Sequence, residues 1–170
     1  PPAARASPQC RGSASRAIMS STSQYTDTDI GWAAGILDGE GCIRLQKHFG
    51  VKRRTESWLL RVDVGNTDPK MLVKLHKMFG GSIHKKKLRD RYLPQWRWIC
   101  YGNNAALVLK MVLPYLVTKK EQADVALLSR SFLRKTHSVK NQEEKLINMR
   151  LAGAKLVSLK KDLPDLEDVR

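Results

Sequence analysis

The residues of this chain whose types and spacing could do chemistry are the two carboxylates of Asp38-Gly39-Glu40-Gly41. They close a run at 28–44, TDIGWAAGILDGEGCIR, that has no helix breaker from Thr28 to Leu37. With Thr28 as N-cap and Asp29 in the first turn, the run predicts a helix that residues 38–41 then stop. Gly31, Ala34, Gly35 and Asp38 fall at i, i+3, i+4 and i+7, one face whose atoms lie close to the backbone. Glycine inside a helix costs about 1 kcal/mol relative to alanine, so two of them predict a close contact with another backbone. The pattern also suits an ordinary buried helix with glycines. Glu40 stands at the helix C-terminus, where the macrodipole disfavours an anion by about 0.3–1 kcal/mol. If two copies of the helix pack face to face, their Glu40 carboxylates meet, and such a pair calls for a divalent metal or a proton.

The elements that must position these carboxylates follow in order. Cys42 to Val51 alternates, with Ile43 and Leu45 on one side and Arg44, Gln46 and His48 on the other. After a charged turn at Lys52–Glu56, Trp58 to Val64 returns with Leu60, Val62 and Val64 inward and Leu59, Arg61 and Asp63 outward, completing a hairpin. Asp68-Pro69 predicts the start of a helix whose core face is Met71, Leu72, Leu75 and Met78, ended by Gly80-Gly81. Ser82–Leu88 and Gln95–Tyr101 form a second hairpin around KLRDRYLP, with His84, Lys86, Arg97 and Ile99 outward and Trp96 and Trp98 filling core. Helices are expected over Asn104–Leu113, Thr118–Arg134 and 138–160. The order αββαββαα is α+β: a four-stranded antiparallel sheet with helices on one face. The free face is then the one lined with Arg, Lys, His and Gln.

Charge narrows the partner. The formal net charge is +15, and between Ile43 and Cys100 fifteen Lys and Arg stand against four Asp and Glu. An excess so concentrated points to a polyanion. A two-stranded ribbon fits the DNA major groove, where Arg and Gln pair with purine edges. At roughly 3.3 Å per residue a nine-residue strand covers about 30 Å, some eight or nine base pairs. No stretch approaches about 18 uninterrupted apolar residues, so no membrane span is expected. Cys10, Cys42 and Cys100 are far apart and odd in number, and with the four histidines they show no zinc spacing. No nucleophile motif, phosphate-binding glycine loop or dinucleotide fingerprint is present.

AAGILDGEG at 33–41 resembles the signature of the LAGLIDADG homing endonucleases, matching at Ala34, Gly35, Asp38 and Gly41 with Glu40 in the acidic position. The resemblance extends over residues 28 to about 134 through VGNTDP at 64–69, FGGSI at 79–83, WRW at 96–98 and LPYLVTKKEQA at 113–123. It implies a DNA-binding saddle made by the sheet and hydrolysis of one phosphodiester in each strand of double-stranded DNA. With a single signature, it implies a homodimer joined through Gly31, Ala34, Gly35 and Asp38, reading around 20 base pairs of pseudo-twofold site. LAGAK at 151–155 lacks the acidic ending and cannot supply a second site. Glu40, with Gly39 beside it, is implied to bind Mg²⁺ or another divalent cation such as Mn²⁺ or Ca²⁺. Asn66 is implied to lie near metal-bound water, and Lys119 to offset charge on the scissile phosphate. The base-facing set is Arg44, Gln46, His48, Arg61, Asp63, His84, Lys86 and Arg97. Glu40 replaces the commoner Asp, Ala33 replaces the usual Leu, and Lys70 is the best match to a basic residue the family often carries near the start of its second long helix.

Two other readings stay open. The same fold could serve an intron-splicing maturase, with intron RNA as partner, or a non-cleaving DNA-binding protein. A basic RNA-binding module with a chance motif is the other. Residues 1–24 read as a disordered basic arm, with an organellar transit peptide and translation from Met19 as alternatives. Residues 25–160 read as the domain and 161–170 as a peripheral tail. The expected compartment is the cytoplasm in a prokaryote and an organellar matrix or stroma in a eukaryote.

Overall fold

The first helix is set by a reciprocal cap. The Thr26 hydroxyl accepts the Asp29 N–H at 3.2 Å, and the Asp29 carboxylate accepts the Thr26 N–H at 3.4 Å. This capping box makes Thr26 the N-cap instead of Thr28, because Thr28 would have Gly31 where the box needs an acid. A computed structural model of the chain describes residues 25–49, 56–86, 94–130 and 139–161. The expected N-terminal arm, the turn at Lys52–Glu56 up to Thr55, the KLRDRYLP loop up to Leu93, residues 131–134 of the helix expected over Thr118–Arg134 and the tail beyond 161 lie outside them.

Helix α1 (Asp27–Glu40) leads into strand β1 (Gly41–Phe49), which pairs antiparallel with β2 (Glu56–Asn66). Gly41 makes the junction tight: a Cβ there would sit 2.5 Å from the Leu37 carbonyl oxygen, so no larger residue fits. Asp68 caps α2 (Pro69–Phe79) by accepting the Lys70 N–H at 2.8 Å, with Pro69 in the first turn as expected. Gly80 and Gly81, both at positive φ, turn the chain into β3 (Ser82–Lys86). Strand β4 (Gln95–Tyr101), α3 (Gly102–Val112), a 3₁₀ turn at Leu113–Tyr115, α4 (Lys120–Ser129) and α5 (Val139–Ser158) complete the described chain.

The strand order is β1-β2-β4-β3, all antiparallel. One sheet face supplies Ile43, Leu60, Val62, Val64, Trp98 and Cys100 to a core that also holds Leu37, Leu72, Leu75 and Leu109 from the helices. The α+β architecture, the inward and outward alternation and the core role of the tryptophans match the sequence reading. Trp98 is fully buried and donates its indole N–H to the Gly80 carbonyl at 2.8 Å. Burial pushes the Cys100 thiol up to about 12. Among the described residues no helix is long and apolar enough to cross a membrane.

Candidate functional site

The C-terminus of α1 and the N-terminus of α4 cap one another. The Asp38 carboxylate accepts the Val117 N–H at 2.7 Å, the Lys119 N–H at 2.9 Å and the Thr118 hydroxyl at 3.0 Å. Lys119, in return, donates its ammonium to the Leu37 carbonyl at 3.0 Å and to the Asp38 carbonyl. Lys119 thus satisfies carbonyls that the end of α1 leaves without intrahelical partners, with the sign its dipole favours, while Asp38 ties down the Val117–Lys119 segment that leads into α4. Burial acts to raise the Asp38 carboxyl, but the donors from Val117, Lys119 and Thr118 outweigh it and hold it below its ordinary value. Burial pushes the Lys119 ammonium below its ordinary value, against the opposing pull of Asp38 and Glu40.

Two predicted site residues, Glu40 and Lys119, lie close at this corner, and a third, Asn66, lies at the same end of the sheet. Glu40 is exposed at the last position of α1, close enough to Lys119 to bear on its charge. The register pairs Gly41 with Val64, which puts Asn66 at the sheet end from which Glu40 departs. Asn66 Oδ1 accepts the Asp68 N–H at 2.8 Å, a local turn that orients the amide. The sequence missed a fourth residue, Lys160, just past α5. Its ammonium lies 3.4 Å from Cys42 Sγ and depresses the Lys119 ammonium further. Nothing in the sequence separates Lys160 from its neighbouring lysines, because only the docking of α5 against β1 brings it here.

Part of the expected dimer face is covered within the single chain. Ala34 is fully buried in the chain's own core, Asp38 is engaged by α4, and a Cβ on Gly31 would touch the Tyr115 ring at 3.9 Å. The open small-residue stripe of α1 is Gly35 and Gly39, where an added Cβ meets nothing within 4 Å. The physical reason is that α1 buries Ile30, Ala33, Ala34 and Leu37 against its own sheet and α3, so the face rotates by one position.

On the outer sheet face the predicted residues form one network around an acid. Asp63 is 3% exposed. Arg44 Nη2 lies 2.8 Å from its Oδ1 and Arg61 Nε 3.0 Å from the same oxygen, while Arg97 Nε lies 3.6 Å from Oδ2. Arg61 also donates to Gln46 Oε1 at 3.2 Å and stacks over Tyr101 at 5.6 Å. Asp63 and Arg61 are therefore tied down within the face and are not open readers, as the sequence reading had them. His84 and Lys86 are exposed on β3, with His84 Nε2 2.9 Å from Ser82 Oγ. His48 lies in β1, and its side chain is outside the described residues.

No sequence-family profile matches the chain, and no curated protein does. Solved structures do. The homing endonuclease I-CvuI, in complex with DNA in the presence of Mg, superposes with a TM-score of 0.64 at 21% identity, over 81% of this chain and 85% of that one. The archaeal intron-encoded homing endonuclease I-Vdi141I, complexed with DNA, superposes at 0.63 and 13% identity, over 84% and 91%. The LAGLIDADG homing endonuclease I-SmaMI, bound to cleaved DNA, matches at 0.57 and 14% identity over 74% of this chain but 42% of its own. The chain has the LAGLIDADG homing-endonuclease fold. Within that fold, α1 carries most of the run at 33–41, and the outer sheet face is the one opposite the core.

The donor set at the α1 terminus suits a hard cation. Among the described residues no three His, Cys, Asp or Glu side chains converge. Among the described residues the end of α1 offers the exposed carboxylate of Glu40 and the backbone carbonyl of Gly39, both oxygen donors. A full coordination shell needs further oxygens from outside this set.

Proposed function

We propose that the chain is a site-specific DNA endonuclease that acts as a homodimer and hydrolyses one phosphodiester in each strand. The observation that carries this reading is the mutual capping of α1 and α4, which brings Lys119 and Glu40 together beside an open Gly35–Gly39 stripe. Packing of that stripe on its symmetry copy sets the two Glu40 carboxylates side by side, an isologous contact. The lengths of the matches support it: one copy spans most of I-CvuI and less than half of I-SmaMI.

Glu40 and the Gly39 carbonyl would hold a divalent cation, Mg²⁺ being the natural choice. Such a cation, when bound, activates water and stabilises the leaving oxygen. Lys119, already aimed at the helix end, neutralises charge on the phosphate that approaches Glu40, and Lys160, beside Cys42, adds a second cation. The Asn66 amide orients water at the sheet end. The basic sheet face holds the duplex by phosphate contacts and reads bases in the major groove.

The test is selection of cleaved duplexes from a randomised library, in Mg²⁺ and in chelator. Paired nicks at a pseudo-palindromic site are expected only with metal. Glu40→Gln should bind and not cut. Continued cutting by that variant removes Glu40 from the metal site.

A further inference from the structure

The outer sheet face carries a carboxylate where a polyanion is expected to dock, and that carboxylate is almost fully covered. Asp63 lies at the centre of the face: its register partners are Cys42 and Ile99, and Arg44, Arg61 and Arg97 surround it from three strands. Arg44 and Arg61 sit directly opposite one another, a like-charge pair that is unfavourable without a counter-charge between them. With a side chain only 4% exposed, Asp63 cannot itself reach a base edge such as the cytosine amino group. What it can do is fix the guanidinium groups around it.

The three arginines differ in what they have left to offer. Arg61 is 12% exposed, with Nε on Asp63, Nη1 on Gln46 and its plane over Tyr101, so it acts as a strut. Arg44 and Arg97 are 38% and 37% exposed. Arg97 Nε lies 3.6 Å from the carboxylate, and more than a third of its side chain stays exposed. Arg44 meets it through Nη2, and its Nε is buried without a partner among the described residues, so the donors it has left are on its terminal nitrogens. A terminal guanidinium edge presents two parallel N–H groups, which match O6 and N7 of guanine.

We propose that Asp63 is a specificity-positioning residue: by anchoring Arg44 and Arg97 it makes each select a guanine at its own position of the half-site. The proposal rests on the reading of this face as the DNA-binding surface. Anchoring removes most of the side-chain freedom that would otherwise let a long cation settle on any phosphate, so the carboxylate exchanges affinity for discrimination. Its removal therefore has an unusual signature. The face gains one net positive charge while two positions of the site lose their base preference.

The experiment is base selection from a randomised duplex library by the full chain in Ca²⁺, with Asp63→Asn, Asp63→Glu, Arg44→Ala and Arg97→Ala alongside, each checked for folding by circular dichroism. The unmodified chain should show two guanine-dominated positions per half-site. In Asp63→Asn the preference at those two positions should fall about tenfold, with the other positions unchanged and binding to non-specific duplex undiminished. Each arginine variant should erase one of the two, and Asp63→Glu should restore preference relative to Asp63→Asn. A profile in Asp63→Asn that is unchanged, or flattened evenly across the site, overturns the proposal. If Asp63→Asn does not fold, the arginine variants decide, and guanine positions that survive both of them also overturn it. A chain that selects no sequence at all instead removes the DNA-binding reading of the face, an outcome distinct from either.

Discussion

Gly35 and Gly39 allow a test in which the sign of the effect decides the assembly. Both lie in α1 one turn apart, and a Cβ at either meets nothing within 4 Å in the single chain. If the chain works alone, Gly35→Ala with Gly39→Ala removes two helix glycines and should stabilise it by about 2 kcal/mol. If two copies pack along this stripe, each added methyl meets the partner's backbone. Overpacking costs about 1–3 kcal/mol per site, and the twofold axis makes every substitution count twice. Even at the lower bound of about 1 kcal/mol, Gly35→Ala alone loses about 2 kcal/mol of association, a roughly 30-fold weaker dimer. Sedimentation velocity over a concentration series measures the dissociation constant, and urea unfolding of dilute protein measures the monomer. The expected result is a monomer that is more stable and a dimer that is weaker. A raised unfolding midpoint with an unchanged mass distribution would refute the proposed seam.

Other outcomes are accessible to simpler assays. Asp38→Ala leaves the Val117 and Lys119 N–H groups and the Thr118 hydroxyl without their acceptor and should lower stability by about 2 kcal/mol in urea, more than an exposed helix substitution would. Lys160→Ala should reduce the rate of single-turnover cleavage while leaving the unfolding curve in place, since its described contact is the Cys42 sulfur. The Asp29 carboxyl is held below its ordinary value by the Lys74 ammonium and then by Thr26. A carboxylate depressed in the folded state stabilises above its unfolded pKa and loses that contribution as pH falls through the folded one. Stability of the unmodified chain should therefore drop more steeply than that of Asp29→Asn below pH 3.8, followed by thermal unfolding. With its thiol pushed up to about 12, Cys100 should resist iodoacetamide at pH 8 in the native chain and react once urea is added, as mass spectrometry would show.

Much of the fold was legible because its signals are local. Alternation in β1 and β2 set which side chains face the core, Asp68-Pro69 marked a helix start, and Gly80-Gly81 marked its end. The signature run and the four later blocks carried the family resemblance, and with it Glu40, Asn66 and Lys119. What misled was also local reasoning applied too far. The i, i+3, i+4 spacing of Gly31, Ala34 and Gly35 defines a face but not what covers it, and Ala34 proved to lie in the chain's own core. Asp63, outward by alternation, read as a base contact, yet three arginines from three strands enclose it.

The one-dimensional pattern was enough to determine an α+β sheet with one basic face and a helix ending in an acid, because hydrophobic period, turn residues and charge are properties of neighbouring positions. Only the tertiary structure could decide that Asp38 and Lys119, some 80 residues apart, exchange caps, that Lys160 joins them, and that Asp63 is a buried anchor. Those pairings depend on which helix ends and strands meet in space, and electrostatic interactions fall off with distance through space, not along the chain.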